Sequence, residues 1–207
     1  MLCVKDCSIT NASRTLIDTM NFTVAAGEVL TLMGPSGVGK STFLSWMIGA
    51  LPAEFTVTGE LWLNQQRRDT LPTERRNIGI LFQDALLFDH LNVGQNLSMA
   101  LPAAIKGREQ RQHHVEQALA SAQLAGYSRR DPATLSGGER ARISVLRALL
   151  AQPEALLLDE PFSRLDQTLR DQFRQFVWQQ VEQLAIPVVL VTHDAQDIPT
   201  GGQVITL

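Results

Sequence analysis

An α/β fold, with a buried parallel sheet interrupted by a helical insertion, is what this sequence predicts. Three observations carry it. Two short unbroken apolar runs, residues 155–158 and 187–191, each end in polar residues, which is how strands buried on both faces read. A glycine-rich turn from Gly34 to Ser41 follows one strand-like segment and leads into a helix-like one. A central stretch, about 84–135, changes to helical spacing with many glutamines and alanines. Strands that alternate with helices in this way call for a parallel sheet.

Taken in order, residues 1–33 carry β-type alternation and close with Glu28-Val29-Leu30-Thr31-Leu32-Met33, directly before the glycine turn. From Lys40, the run Lys-Ser-Thr-Phe-Leu-Ser-Trp-Met-Ile predicts a helix packed on its apolar side. Residues 55–63 predict a further strand after Pro52. In the central stretch, residues 107–125 have the clearest helical spacing, and further helices are expected around 137–151 and 166–184. There are no repeats and no low-complexity tail.

The chain has 207 residues, enough for one domain or one body with two lobes and for a core that needs no disulfide or structural metal. Eighteen basic against 21 acidic residues give a formal charge of −3, so there is no global attraction to nucleic acid or anionic lipid. Cys3 and Cys7 do not form a C-x-x-C pair and read as reduced, small hydrophobes. No stretch has the pattern of a signal peptide, and no apolar run approaches the roughly 20 residues that span a bilayer. Any service to a membrane goes through a partner.

Gly34-Pro35-Ser36-Gly37-Val38-Gly39-Lys40-Ser41 fits G-x-x-x-x-G-K-[ST] in the strand–turn–helix context that the motif requires. The glycines let the backbone curl so that N–H groups point at phosphate oxygens, and the helix adds its positive end. Lys40 would reach the β- and γ-phosphates, Ser41 would ligate Mg²⁺, and Thr42 is placed for the α-phosphate. An ordinary glycine turn is the plainer explanation, yet the full pattern arises by chance in roughly one in a hundred chains of this length.

Leu156-Leu157-Leu158-Asp159-Glu160 puts two carboxylates at the end of a buried strand, where open α/β sheets bind ligands. Asp159 would hold magnesium through water, and Glu160 would orient or deprotonate an attacking water. A second glycine motif, Leu135-Ser136-Gly137-Gly138-Glu139-Arg140, opens a helix. Ser136 and Glu139 have capping-box spacing, which leaves the two glycines unexplained, since each costs up to about 1 kcal/mol inside a helix. Bare N–H groups and the Ser136 hydroxyl make a second phosphate site, best suited to another subunit's nucleotide.

In these residues the chain resembles the ATP-binding cassette (ABC) family over almost its whole length. The family's ordered motifs look like residues 34–42 (Walker A), Gln83 (Q-loop), 135–139 (signature), 155–160 (Walker B), 163–166 (D-loop) and His193 (H-loop). The resemblance implies a RecA-like P-loop NTPase core with an N-terminal β-subdomain, spanning residues 1–82 and 140–207, and a helical subdomain over 83–139. It also implies an ATP-dependent head-to-tail homodimer, with each ATP between the cradle of one subunit and the signature of the other. By position, His193 would contact the γ-phosphate, Gln83 would touch the metal or attacking water, and Asp166 would lie at the dimer interface. The chain departs from the family in residues 10–14, Thr-Asn-Ala-Ser-Arg, where an aromatic residue usually stacks adenine and only Arg14 offers a planar face. It departs again at Arg164, where a small residue is usual.

The resemblance leaves three readings open. The first is an importer ATPase peripheral to the cytoplasmic face of the plasma membrane. Its partners would be integral membrane permease subunits and an extracytoplasmic solute-binding protein. Asp159-Glu160-Pro161-Phe162-Ser163 and Phe82-Gln83-Asp84-Ala85-Leu86-Leu87-Phe88 resemble that subgroup. Apolar Leu86, Leu87, Phe88 and Leu91 suit a groove for a permease helix, although some of them belong to the core of the helical lobe. The second reading is an exporter or lipid-extracting ATPase. The third acts on DNA or ribosomes, and neither the charge balance nor any long coiled coil supports a nucleic-acid partner. His113-His114 read as solvated surface, and Arg67-Arg68 and Arg75-Arg76 as solvated faces. Ending at Leu207, soon after His193, the chain is expected to lack the C-terminal regulatory domain of many importer ATPases.

Overall fold

The computed structural model of the chain describes residues 1–12 and 14–207, the side chain of Thr168 aside. Ser13, one of the residues in the aromatic-free 10–14 stretch, lies outside the described residues. The chain divides into two compact units, the first comprising Met1–Ile80, Glu154–Glu160 and Gln180–Leu207, the second Leu81–Pro153 and Pro161–Gln179.

The first unit holds two sheets. The alternating N-terminal stretch forms strands β1 (Leu2–Asn11) and β2 (Arg14–Val24), which pair antiparallel from Leu2↔Val24 to Asn11↔Arg14. Their apolar alternation changes phase, from Leu2 and Val4 to Cys7 and Ile9 on β1, and from Ile17 to Met20, Phe22 and Val24 on β2. A one-residue slip would turn half of these side chains to solvent, so the ladder is interrupted by register shifts, with Asp6 and Thr19 at φ 49° and 47°. Strands β4 (Phe55–Leu63) and the two-residue β5 (Gln66–Arg67) complete the order β2-β1-β4-β5.

The second sheet has the order β6-β7-β8-β3-β9, from β3 (Val29–Met33), β6 (Ile78–Leu81), β7 (Ala155–Asp159), β8 (Val188–Val191) and β9 (Gln203–Thr206). β8 runs parallel to β3 and to β7, with Val188 opposite both Val29 and Leu156. Every residue of β8 is buried, as are the first four of β3 and of β7. Each such Val or Leu contributes roughly 1.5–3 kcal/mol, which is why continuous apolar runs suffice to define these strands. β6 and β9 are four residues each and only partly buried, so they carry no comparable sequence signal. Helix α1 (Lys40–Ile48) buries Phe43, Leu44, Trp46, Met47 and Ile48 in the same core.

Two arginines correct the expectation of solvated faces. Arg67 and Arg75 are exposed, but Arg68 and Arg76 are 4% and 6% accessible. Arg76 lies across the C-terminal end of α1, donating to Trp46 O (2.6 Å) and Met47 O (3.1 Å), and also to Leu71 O (2.8 Å) and Asp69 O (2.7 Å). A helix end leaves such carbonyls without intrahelical partners, and a buried guanidinium with five donors satisfies several at once. Arg68 reaches Glu154 Oε2 at 2.9 Å and Arg75 O at 3.2 Å.

The second unit is helical: α2 (Val93–Ala100), α3 (Arg108–Ser121), α4 (Gly137–Leu150) and most of α5 (Gln167–Leu184). The 84–135 stretch is helical over 93–100 and 108–121, with turns and short 3₁₀ segments elsewhere. Pro102 forces Leu101 to an extended ψ of 137° and ends α2. Phe162 packs edge-on to Phe173 and Trp178, with ring centroids 5.8 and 6.0 Å apart. His113 and His114 are exposed. Among the described residues no helix is long and apolar enough to cross a membrane.

Candidate functional site

β3, β7 and β8 are neighbours in register, so their carboxyl ends deliver three segments to one edge of the sheet. After Met33 the chain turns through Gly34, Gly37 and Gly39 at φ 152°, 81° and 113°. Gly39 is the residue before α1, and a Cβ there would sit 3.2 Å from Leu16 Cβ of β2. That space and that φ together admit glycine alone. Pro35, Ser36 and Gly37 form the exposed crest, while Val38 and Thr42 are half-buried.

Lys40 is 5% exposed, and its Nζ donates to Gly34 O (2.7 Å) and Pro35 O (2.9 Å), so its ammonium group is held against the loop. Ser41 Oγ donates to Asp159 Oδ1 at 3.0 Å, a contact across 118 positions of sequence. Arg14, the planar group considered for base stacking, donates from Nη2 to Gly37 O at 3.0 Å and so braces the same loop.

Asp159 ends β7, and Glu160 follows in the left-handed region at φ 47°. Its N–H is tied to Val191 O of β8 at 2.9 Å. A non-glycine residue in that conformation persists only where its surroundings enforce it. Glu160 Oε2 lies 3.4 Å from Nδ1 of His193. Thr192, beside it, donates to buried Asp197 Oδ2 (2.7 Å) and accepts from Asp194 N–H (3.1 Å), which pins the turn that presents His193. This Thr192–Asp197 pair had no signal in the sequence, because it joins two ordinary polar residues across a 3₁₀ turn.

Burial pushes the Asp159 carboxyl above its ordinary value; the Ser41 hydroxyl opposes this, neighbouring Glu160 adds to it, and Lys40 opposes it. A cation placed there relieves that cost. The Ser41 hydroxyl and the Asp159 carboxylate are hard oxygens of the kind Mg²⁺ takes. Among the described residues no group of three or more His, Cys, Asp and Glu could cage a metal. One or two protein oxygens, completed by water and phosphate oxygens, is the usual Mg²⁺ arrangement, so the residues present fit this ion.

In the second unit, Ser136 caps α4 and the reciprocal capping box with Glu139 is complete. Ser136 N–H and Oγ donate to Glu139 Oε2 at 2.7 and 2.8 Å, and Tyr127 OH donates to Oε1 at 2.8 Å. The Ser136 backbone N–H, then the Tyr127 and Ser136 hydroxyls, hold the Glu139 carboxyl below its ordinary value. Tyr127 is thus a brace that sequence reasoning missed. A Cβ on Gly137 would meet nothing within 4 Å, so the helix opens onto free space there. Gln83 Nε2 donates to Ser163 Oγ at 3.0 Å, and Asp84 pairs with Arg164. Asp166 Oδ1 accepts from Leu169 N–H at 3.1 Å, the bond of an N-cap to α5. The structure therefore gathers residues 34–42, Asp159, Glu160 and His193 in the first unit, and places Gln83, Ser136, Gly137, Gly138 and Asp166 in the second.

The sequence pattern of the ABC transporter family matches residues 17–163, more than half of the chain. The chain belongs to the ABC transporter ATP-binding family. It is 61% identical to the ABC transporter ATP-binding protein YnjD of Escherichia coli (strain K12) over 207 residues, covering all of this chain and 95% of that one. It is 38% identical to the thiamine import ATP-binding protein ThiQ of Haemophilus influenzae (strain 86-028NP), covering 89% and 85%. The sulfate/thiosulfate import ATP-binding protein CysA of Nephroselmis olivacea is 38% identical over 91% of this chain and 56% of that protein. A solved structure of the ATP-binding cassette MJ0796, described as a dimer in a post-hydrolysis state bound to ADP and Pi, superposes with a TM-score of 0.84 at 27% identity. It covers all of this chain and 94% of that one. This ABC subunit binds and hydrolyses ATP on a RecA-like P-loop core with an N-terminal β-subdomain and helical insertions.

Proposed function

We propose that this ABC subunit energises import of a small solute through separate membrane permease subunits, working as an ATP-dependent head-to-tail homodimer at the cytoplasmic face of the membrane. The observation that carries the hydrolytic part is the convergence of Lys40, Ser41, Asp159, Glu160 and His193 at one sheet edge. Import is supported by the names of the thiamine and sulfate/thiosulfate relatives. It is supported also by the exposure of Phe82, Leu86 and Phe88 beside Gln83, an apolar surface that suits a permease helix.

In this assignment the loop from Gly34 to Gly39 cradles the phosphates, with Pro35, Ser36 and Val38 setting its curl and Thr42 near the α-phosphate. Lys40 supplies positive charge to the β- and γ-phosphates. Ser41 and Asp159 would hold Mg²⁺, which when bound neutralises charge on the phosphates. Glu160 accepts a proton at a carboxylate oxygen as water oxygen bonds to the γ-phosphorus and the bond to the β–γ bridging oxygen breaks, releasing ADP and phosphate. His193 keeps Glu160 oriented and contacts the γ-phosphate. Ser136, Gly137 and Gly138 meet the nucleotide of the facing subunit, and Asp166 lies at the dimer interface; support comes from the open space over Gly137 and the dimeric description of the MJ0796 structure.

The test is to tag the chain in its host, solubilise membranes gently and identify what co-purifies by mass spectrometry. A multi-spanning protein together with a secreted solute-binding protein is the expected result. A permease fused to exporter-type domains would overturn import, and a purely soluble eluate with ribosomes or nucleic acid would overturn transport.

A further inference from the structure

The helical unit contains a second polar recess that takes no part in the assignment above. It is a cleft of about 430 Å³ between the first turns of α2, the N-terminal half of α3 and the 3₁₀ turn Tyr127–Arg129. Three of its lining residues are arginines, Arg108, Arg111 and Arg129, and none is acidic. In a chain of net charge −3, a concentration of three positive charges without a lining carboxylate is unusual enough to need an explanation.

The walls are built closely. Val93 N–H donates to Arg130 O at 3.0 Å, tying α2 to the turn. Gly94 faces Ser128 so tightly that a Cβ would come 2.4 Å from Ser128 Oγ and 2.9 Å from Ser128 O. Arg111 is anchored by donating to Pro102 O (3.2 Å), Ile105 O (2.9 Å) and the Ser98 and Leu101 carbonyls. Carbonyl dipoles, with no carboxylate among the described residues within ion-pair distance, offset its charge. Arg108 and Arg129 are exposed, and among the described residues neither side chain makes a hydrogen bond or ion pair. Gln95, Gln112 and Ser128 add polar side chains.

We infer that this cleft is a binding site for a phosphate-bearing small molecule. Guanidinium forks match oxyanions in pairs of N–H donors; Arg108 and Arg129 offer two such forks, while Arg111, its Nη groups already given to carbonyls, adds its charge. The volume, within the usual range of ligand pockets, leaves room for the group to which the phosphate is attached. A free phosphate compound and a phospholipid headgroup carry the same chemistry. The inference is independent of the transport assignment, since neither Arg108 nor Arg129 belongs to the nucleotide machinery.

The test has two arms, both on the full chain. In the first, inorganic pyrophosphate is titrated into ¹⁵N-labelled protein and amide shifts are read by residue, which separates this cleft from the phosphate loop at 34–42. Saturable shifts in residues 93–98, 108–112 and 127–129 are expected. Arg108→Ala and Arg129→Ala should each weaken them about tenfold, while shifts at 34–42 remain. In the second arm, sedimentation with vesicles of phosphatidylglycerol is compared with phosphatidylcholine. Binding to the former alone, lost with the same two arginines, assigns the headgroup as the source, and its absence beside a positive first arm assigns the free compound. Shifts confined to 34–42 with vesicle binding indifferent to both arginines overturn the inference, as do cleft shifts that survive both substitutions.

Discussion

Arg76→Met removes a buried cation that four backbone carbonyls depend on, and its cost can be worked from the contacts. The guanidinium donates at 2.6–3.1 Å to Trp46, Met47, Leu71 and Asp69 carbonyls. Met47 and Trp46 lie in the last turn of α1, whose first residues are Lys40 and Ser41. Hydrogen bonds to a charged group contribute about 1.5–3 kcal/mol each, and an orphaned buried acceptor costs about 1–3. Burial disfavours the charged form of Arg76 and pulls its pKa down, with Asp69 opposing, so the substitution recovers part of that desolvation. Trp46 O also keeps its bond from Gly49 N–H. The net expectation is a loss of about 3–5 kcal/mol, the size reserved for breaking a buried network. In a domain of this length that lowers Tm by about 10 °C. The assay is thermal unfolding followed by circular dichroism, with exposed Arg75→Met as the control, expected to change stability by under about 0.5 kcal/mol. An Arg76→Met protein that melts within about 2 °C of the parent would refute the reasoning, because the carbonyls would then have found other partners at no cost.

Glu160→Gln keeps the shape of the site and removes the proton acceptor; hydrolysis should fall at least a hundredfold while ATP binding persists, read by single-turnover kinetics and nucleotide filter binding. Parental turnover in that variant would remove Glu160 from the assignment. Glu154 supplies the pH prediction: burial works against its charge, but hydrogen bonds from Asn77, Asn64 and Arg68 outweigh it and hold the carboxyl below its ordinary value. Its stabilisation is present above the unfolded value of about 4.3 and lost as pH falls through the folded one. Glu154→Gln should therefore be less stable than the parent at pH 7, and the gap in urea midpoints should close by pH 3; a constant gap would point to packing instead. Cys7 is fully buried, and desolvation, then Asp69, push its thiol up to about 12, so a thiol reagent at pH 8 should label half-buried Cys3 first and Cys7 only on unfolding. Equal native labelling rates by mass spectrometry would contradict that placement.

The sequence by itself determined the fold class and the buried strands β3, β7 and β8, and it carried the motifs on which the proposed nucleotide site rests. The physical reason is that these features are local: continuous apolar runs leave a strand few alternatives, and a glycine-rich turn before a Lys-Ser helix start suits little besides phosphate. Tertiary structure alone decided which isolated polar residues stand beside one another and which sustain the fold. Arg68 and Arg76 look like solvated charge in sequence, and only the approach of the α1 carbonyls and of Glu154 makes them interior groups. Tyr127 and the Thr192–Asp197 pair carry no pattern, because each acts on a partner that a turn brings near. β6 and β9 are too short to announce themselves and form because the sheet already offers an edge. The bond between Ser41 and Asp159, made by residues 118 positions apart, has the same origin: spacing placed each at the end of an element, and the parallel register of β3, β8 and β7 brought those ends together.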